Sequence, residues 1–234
     1  MSTIIELGDV KKHYMLGTTK VEALRGVSFQ ITRGEFTAIA GPSGSGKSTI
    51  LNMVGCIDNP SSGTIIIGGD DVSGLSDKRL TKYRRSTISF IFQSFNLIPV
   101  LNVYENIELP LLLEKGMNEA DRKAHVMQLI EEVGLTDRIK NKPNQLSGGQ
   151  RQRVAIARAL VTKPLVVLAD EPTANLDSVT GAKILELMED LNKRQGTTFV
   201  FSTHDHTIMD KARRVISIQD GLITSDVSKA GLAV

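Results

Sequence analysis

The 234-residue chain has no tryptophan, one cysteine and few aromatic residues of any kind. A lone thiol, Cys56, excludes an internal disulfide and fits a reducing compartment. It sits in the apolar stretch 50–57 and reads as a small buried hydrophobe. No apolar run approaches the ~18 residues that a membrane helix needs. Residues 1–10 lack the charged and apolar regions of a signal peptide, so the chain is expected on the cytosolic side, reaching a membrane only through a partner. An excess of one charge is missing too: 28 Lys and Arg against 26 Asp and Glu leave a net charge of +2. Nucleic-acid binding, which wants a concentrated basic face, is not expected. The Arg84–Arg85 and Arg151/Arg153 pairs read as helix-surface charges. Repeats and low-complexity segments are also absent.

What is present is an alternation of β-branched runs and helical patterns, the mark of an α/β protein. Strands are predicted over 4–7, 27–31, 36–40, 64–67, 88–92, 165–170, 198–201 and 215–218. Those ending at Ala40, Asp170 and Ser202 are nearly all apolar, as in the middle of a parallel sheet covered on both faces. The earlier strands alternate more and read as an antiparallel layer that turns at Gly63 and Gly68–Gly69. From 93 to 164 β-branched runs vanish and helices dominate. Asn118 reads as the N-cap of a helix stopped by Gly134, and another helix runs over 150–161. A third spans 178–195 and stops at Gly196. The expectation is one domain over 1–234. Its α/β nucleotide-binding core comprises 1–92 and 165–225, with a helical subdomain inserted over 93–164. The polar segment after Gly221 is expected to fray, leaving 226–234 as a flexible tail.

Two segments have the chemistry to grip phosphate. Gly41-Pro42-Ser43-Gly44-Ser45-Gly46-Lys47-Ser48-Thr49 follows an apolar strand and opens an apolar helix, the context that makes it a P-loop. Its backbone N–H groups turn inward around the phosphates. Lys47 is predicted to neutralise the β- and γ-phosphates of a nucleoside triphosphate, and the Ser48 hydroxyl to ligate Mg²⁺. The second segment, Leu146-Ser147-Gly148-Gly149-Gln150, is a Gly-rich turn opening a helix and so another anion site. By chance this pentapeptide belongs in fewer than about one in a thousand chains of this size.

Three more sites follow from strand ends. Asp170 and Glu171 close an apolar strand. The first is placed to hold Mg²⁺, and the second leaves the strand with a different orientation, suited to polarise an attacking water as general base. His204 follows another apolar strand and emerges on the same edge of the sheet, where open α/β sheets gather their ligands. It can donate a hydrogen bond to the γ-phosphate or to the water. Gln93 ends a strand at the start of the helical segment, where its carbonyl oxygen can reach Mg²⁺ or the water. His13, His125 and His206 lack such placement and read as surface or packing residues.

Together these segments, in this order, resemble the ATP-binding cassette (ABC) ATPases, from Tyr14 to about Gly221. The resemblance implies a P-loop NTPase core, a mostly parallel sheet plus an antiparallel β layer with an inserted helical subdomain. It implies that Tyr14 stacks on adenine and that residues 41–49 form the phosphate loop. It makes Gln93 the Q-loop residue and Ser147, Gly148, Gly149 and Gln150 the signature that grips the nucleotide of the other subunit. It assigns Asp170 and Glu171 to the Walker B pair, Asp177 to the D-loop (175–177) and His204 to the switch position. No position is degenerate, so both sites of a homodimer are expected to hydrolyse ATP with Mg²⁺. The stretch 92–112 is similar to the branch of lipoprotein-releasing and macrolide-exporting ATPases. That branch implies a peripheral subunit on the cytoplasmic face of the inner membrane, driving a separate permease. The permease would dock near residues Gln93 to Leu113, and the output would be transport or transmembrane force. Two alternatives stay open: a cell-division or signalling scaffold of the same family, and a soluble non-transport ABC ATPase.

Overall fold

The structure is a computed structural model and describes residues 2–113 and 116–229. The chain opens with β1 (Thr3–Leu16) and β2 (Thr19–Thr32), then β3 (Phe36–Ala40), α1 (Lys47–Val54), β4 (Ser62–Ile67) and β5 (Asp70–Asp71). It continues through α2 (Asp77–Thr87), β6 (Ile88–Ile91), α3 (Val103–Leu112), α4 (Glu119–Glu132) and α5 (Gly148–Leu160). It ends with β7 (Val166–Asp170), α6 (Ser178–Gln195), β8 (Thr198–Thr203), α7 (His206–Lys211), β9 (Arg214–Gln219) and β10 (Leu222–Ser228).

Two sheets result. One is antiparallel in the order β2-β1-β4-β5, and the other runs β10-β9-β3-β8-β7-β6. In the second, β9, β3, β8, β7 and β6 are parallel and β10 is antiparallel at the edge. Alternate residues of its central strands feed two separate cores. Phe36, Val167, Ala169, Phe199 and Phe201 pack under the helices α3 to α7. Ile39, Val166, Leu168 and Val200 pack against α1 and the antiparallel sheet. Burial on both faces is why these strands are apolar without alternation. Phe36, Phe199 and Phe201 meet at ring-centroid distances of 4.5 to 6.1 Å, which fixes β3 against β8.

Between β6 and β7 the described residues hold α3, α4, α5 and two short 3-10 turns, and no strand. Each helix start has its own cap. Asn102 and Glu105 form a capping box on α3, Asn118 accepts from the Asp121 amide on α4, and Ser147 and Gln150 form a box on α5. The loop before α3 is held by Asn106, which is fully buried. Its Nδ2 donates to the carbonyls of Ile98, Leu101 and Asn102 within 2.9–3.2 Å, while its Oδ1 accepts from the Ile98 amide at 2.8 Å.

Three expectations change. The segment after Gly221 does not fray: 222–228 forms β10, paired along β9 through a tight turn in which Asp220 and Gly221 both have positive φ. Arg214 clamps Asp226 through two 2.7 Å bonds and secures this edge. Residues 226–228 thus belong to the sheet, and 230–234 lie outside the described residues. Second, β1 and β2 extend well beyond 4–7 and 27–31 as a long hairpin whose outer arm, around 8–26, is largely exposed and polar. Third, Arg84, Arg151 and Arg153 are half-buried rather than surface charges. Arg84 donates to the Cys56 carbonyl at 2.6 Å and Arg153 to the Val133 carbonyl at 2.6 Å.

Asn106→Ala removes the buried side chain that bonds the Ile98 amide and the Ile98, Leu101 and Asn102 carbonyls. The Leu101 and Asn106 amides still serve the Ile98 and Asn102 carbonyls, but the Ile98 amide and the Leu101 carbonyl lose these bonds. A loss of about 2–4 kcal/mol is expected in urea unfolding. A change within about 0.5 kcal/mol, the scale of an ordinary surface substitution, would contradict this account.

Candidate functional site

The 41–49 loop crosses the carboxyl ends of three strands. The Gly41 amide donates to the Thr203 carbonyl of β8 at 3.3 Å, and the Gly221 amide donates to the Ser45 carbonyl at 3.0 Å. A Cβ on Gly41 would lie 2.1 Å from the Ile218 carbonyl oxygen of β9, so only glycine allows this approach. The first helical bond of α1 runs from the Ile50 amide to the Gly46 carbonyl, which leaves the Lys47, Ser48 and Thr49 amides unused within the helix. Lys47 is buried, and its Nζ donates to the Gly41 and Pro42 carbonyls at 2.7 and 2.9 Å. That occupies two of its three donors.

A cavity of about 380 Å³ opens beside this loop. Lys47, Ser48, Gln93, Asp170, Glu171 and His204 all line it. Ser48 Oγ faces Asp170 Oδ2 at 3.5 Å. Glu171 adopts a left-handed backbone (φ 45°), an uncommon state for a side-chain-bearing residue and one that tends to gather at functional sites. Its amide donates to the Ser202 carbonyl at 2.9 Å, and its carboxylate accepts from Thr203 Oγ1 at 3.2 Å. The other carboxylate oxygen accepts from His204 Nδ1 at 2.5 Å. A carboxylate only accepts, so Nδ1 carries the proton. His204 can therefore donate from Nε2 only after releasing Glu171 or gaining a second proton, a refinement of its expected role.

Other expected site residues lie elsewhere. Ser147, Gly148, Gly149 and Gln150 do not line this cavity. The Ser147 amide donates to Gln150 Oε1 at 2.9 Å, and the Gln150 amide donates to Ser147 Oγ at 3.3 Å. Gly149 packs so closely on α6 that a Cβ would meet the Thr180 methyl at 2.5 Å. Asp177 is exposed and caps α6, accepting from the Thr180 amide at 2.9 Å. Hydrogen bonds from Thr180 hold its carboxyl below the ordinary value. Asp177 lines a neighbouring cavity that also reaches Glu171 and His204.

Tyr14 sits on β1, and its hydroxyl donates to Asp58 Oδ2 at 2.9 Å. Lys12 donates to Asp58 Oδ1 at 2.6 Å and lies 4.9 Å over the Tyr14 ring. One ring face is thus covered by a cation while Tyr14 as a whole remains 38% exposed. Burial and the Asp58 carboxylate push the Tyr14 phenol up, so it stays a donor. Sequence reasoning missed Asp58, Lys12 and Thr203. For Thr203 a signal existed, a hydroxyl at the end of an apolar strand one residue before His204.

Burial alone would raise the Asp58 carboxyl, but bonds from Lys12 and Tyr14 outweigh it and hold it below its ordinary value. A lowered folded value stabilises above the unfolded pKa of about 3.9 and is lost as pH falls through the folded one. Asp58→Asn should therefore be less stable than the parent protein at pH 7. In urea unfolding repeated toward about pH 3 that gap should shrink. An unchanged gap would mean the charge plays no part.

Comparison with known proteins agrees with this geometry. A sequence profile described as ABC transporter matches residues 24–174. An uncharacterised ABC transporter ATP-binding protein of Thermotoga maritima is 51% identical over 223 residues, covering 95% of this chain and 94% of its own length. The macrolide export ATP-binding/permease protein MacB of Bdellovibrio bacteriovorus is 44% identical over 95% of this chain, which spans only 34% of that protein. Among solved structures, the dimeric post-hydrolysis state of the ATP-binding cassette MJ0796 of Methanocaldococcus jannaschii, bound to ADP and Pi, superposes with a TM-score of 0.89. It is 45% identical, over 98% of this chain and all of the other.

Proposed function

This chain belongs to the ABC transporter family and is an ATPase of it, and from that premise we propose that two copies close head-to-tail around two ATP molecules. Each ATP lies between residues 41–49 of one copy and Ser147, Gly148, Gly149 and Gln150 of the other. The observation that carries this reading is the split site. Lys47, Asp170, Glu171 and His204 share one cavity, while the signature turn of the same chain stays outside it. A second phosphate grip that cannot reach its own nucleotide has a use only across an interface. The dimeric, ADP- and Pi-bound relative supports the same arrangement.

Within each site Lys47 turns its free donor to the β- and γ-phosphates, and the unused amides of α1 take up phosphate charge. Tyr14 stacks on the adenine through its open ring face, with Lys12 and Asp58 fixing the ring. Glu171 accepts a proton from water as the water oxygen bonds to the γ-phosphorus. The bond to the bridging oxygen breaks and leaves ADP and phosphate. His204 and Thr203 orient the Glu171 carboxylate. Asp177, at the start of α6 beside the Glu171 cavity, belongs to the D-loop that faces the other copy. Ser48 Oγ beside Asp170, with the Gln93 amide on the same cavity, is an all-oxygen donor set that suits Mg²⁺. When bound, the ion would neutralise phosphate charge.

The output passes to a membrane permease. Relatives that join ATP-binding and permease parts in one protein support this. No helix among the described residues is long and apolar enough to cross a membrane. The permease docks in a groove of about 690 Å³ between α2, β6, α3 and α5, close to Gln93. Ile57, Leu80, Phe92, Pro110 and Leu113 give it apolar walls, and Arg84 and Arg85 edge it. Macrolide export, lipoprotein release and force transmission all fit such a coupling. A peripheral position on the cytoplasmic face of the inner membrane follows.

Glu171→Gln should cut turnover at least about a hundredfold and trap a dimer in ATP and Mg²⁺, visible by size exclusion. Adding Ser147→Arg to that variant should return it to monomer while leaving equilibrium ATP binding within about threefold, since the P-loop is untouched. A monomeric Glu171→Gln protein, or a dimer indifferent to Ser147→Arg, would sink the composite site.

A further inference from the structure

The turn that joins the ATP cavity to the groove is strained and held from outside. Phe95 and Asn96 are consecutive non-glycine residues with left-handed backbones, at φ 61° and 48°. The conformation is unfavourable for Phe95, a bulky residue, and uncommon though better tolerated for Asn96. Local bonds from the Phe95 amide to the Phe92 carbonyl (3.1 Å) and from the Asn96 amide to the Ser94 carbonyl (2.7 Å) close the turn. Two carbonyls are left over, and one side chain takes both. Arg158, in the last turn of α5, donates through Nη2 to the Phe95 carbonyl at 2.8 Å and through Nη1 to the Asn96 carbonyl at 2.6 Å.

Among the described residues no carboxylate forms an ion pair with this guanidinium, and its hydrogen-bond partners are those two carbonyls. Burial lowers its pKa, the mark of a charge kept in a poorly solvated place. Such a charge is costly unless its bonds matter. The α5 helix grips the same turn a second time, through the Arg151 guanidinium 5.2 Å over the buried Phe95 ring. The other end of the turn is tied to the catalytic side, since Asn175 Nδ2 donates to the Gln93 carbonyl at 2.9 Å.

We propose that Arg158 is a positioning residue for ATP hydrolysis. It holds the Phe95–Asn96 turn in its left-handed form, which sets where Gln93 stands at the phosphate cavity, and so makes turnover depend on the seating of α5. The inference rests on the reading that Gln93 serves the γ-phosphate end of the site. Lysine is a poor replacement for Arg158, because its ammonium is a point donor on a flexible stem and lacks the planar fork that aims Nη1 and Nη2 at the two carbonyls.

The test uses the whole chain and steady-state ATPase kinetics. Arg158→Lys should lower kcat about tenfold and leave KM within about twofold, because the loss lies in closing on bound ATP. Asn96→Gly added to Arg158→Lys should bring kcat back to within about threefold of the parent, since glycine holds a positive φ without help. Asn96→Val, which leaves Arg158 in place on an exposed position, should reproduce the kcat loss by resisting that φ. This last variant covers the case in which Arg158→Lys folds poorly. Parent kcat in Arg158→Lys or in Asn96→Val, or a loss that Asn96→Gly leaves unrepaired, overturns the proposal. Gln93→Ala measured in parallel reports on the reading beneath. If that variant keeps parent turnover the Gln93 assignment fails, whereas an impaired Gln93→Ala beside an unaffected Arg158→Lys overturns this inference alone.

Discussion

A parallel sheet buried on both faces has nowhere to put polar chemistry except at the ends of its strands, and this constraint organises the molecule. β3, β7 and β8 are mostly apolar, and the polar groups at the carboxyl ends of β7 and β8, Asp170, Glu171, Ser202, Thr203 and His204, come together at one edge. The phosphate loop is sewn across that edge by the Thr203 carbonyl, the Gly221 amide and the contact of Gly41 with Ile218. The antiparallel β10 strand, remote in sequence from any motif, is part of the same seam because its turn supplies the Gly221 amide.

Both proposed phosphate grips are satisfied by their own chain. Lys47 rests on two carbonyls of its own loop, and Ser147 and Gln150 close a capping box over the start of α5. Binding a phosphate therefore exchanges neutral hydrogen bonds for charge-assisted ones, and the gain is the difference between them rather than their full strength. Glu171 is engaged in the same way by His204 and Thr203. A site built from such exchanges favours a ligand that engages several grips together. In the proposed arrangement a triphosphate held between two copies would do that.

The sequence carried the parts of the fold whose residues are fixed by local rules. The α6 helix spans 178–195, as its helical spacing and Gly196 stop indicate, and the three central strands are legible because burial on both faces leaves them mostly apolar. Gln93, Asp170, Glu171 and His204 were legible because they lie at or just past the ends of apolar strands, and Lys47 and Ser48 because they belong to the Gly-rich loop. The misses share the opposite property. The 8–26 hairpin, α2 and β10 are polar and half-exposed, so their stability comes from pairing and from single long-range contacts such as Arg214 with Asp226. No period in the sequence reports a contact twelve residues away. The Asp58–Lys12–Tyr14 cluster is illegible for the same reason, since it joins positions more than forty residues apart.

The two ends of α5 explain why one helix can serve two tasks. Its start carries the signature turn, and its last turn carries Arg158 on the Phe95–Asn96 carbonyls. A helix of 13 residues is a rod about 20 Å long at 1.5 Å per residue. Gly149 fits it tightly against Thr180 of α6, and Gln152 donates to the Pro172 carbonyl at 2.8 Å, next to Glu171 in the chain. A rod held this way can tilt on those contacts but cannot bend. In the proposed dimer, a nucleotide on the signature end would act on the same rod whose last turn holds the Phe95–Asn96 carbonyls. The left-handed turn at Phe95 and Asn96 thus lies between the cavity that Gln93 lines and the groove that Phe92 and Asn96 line.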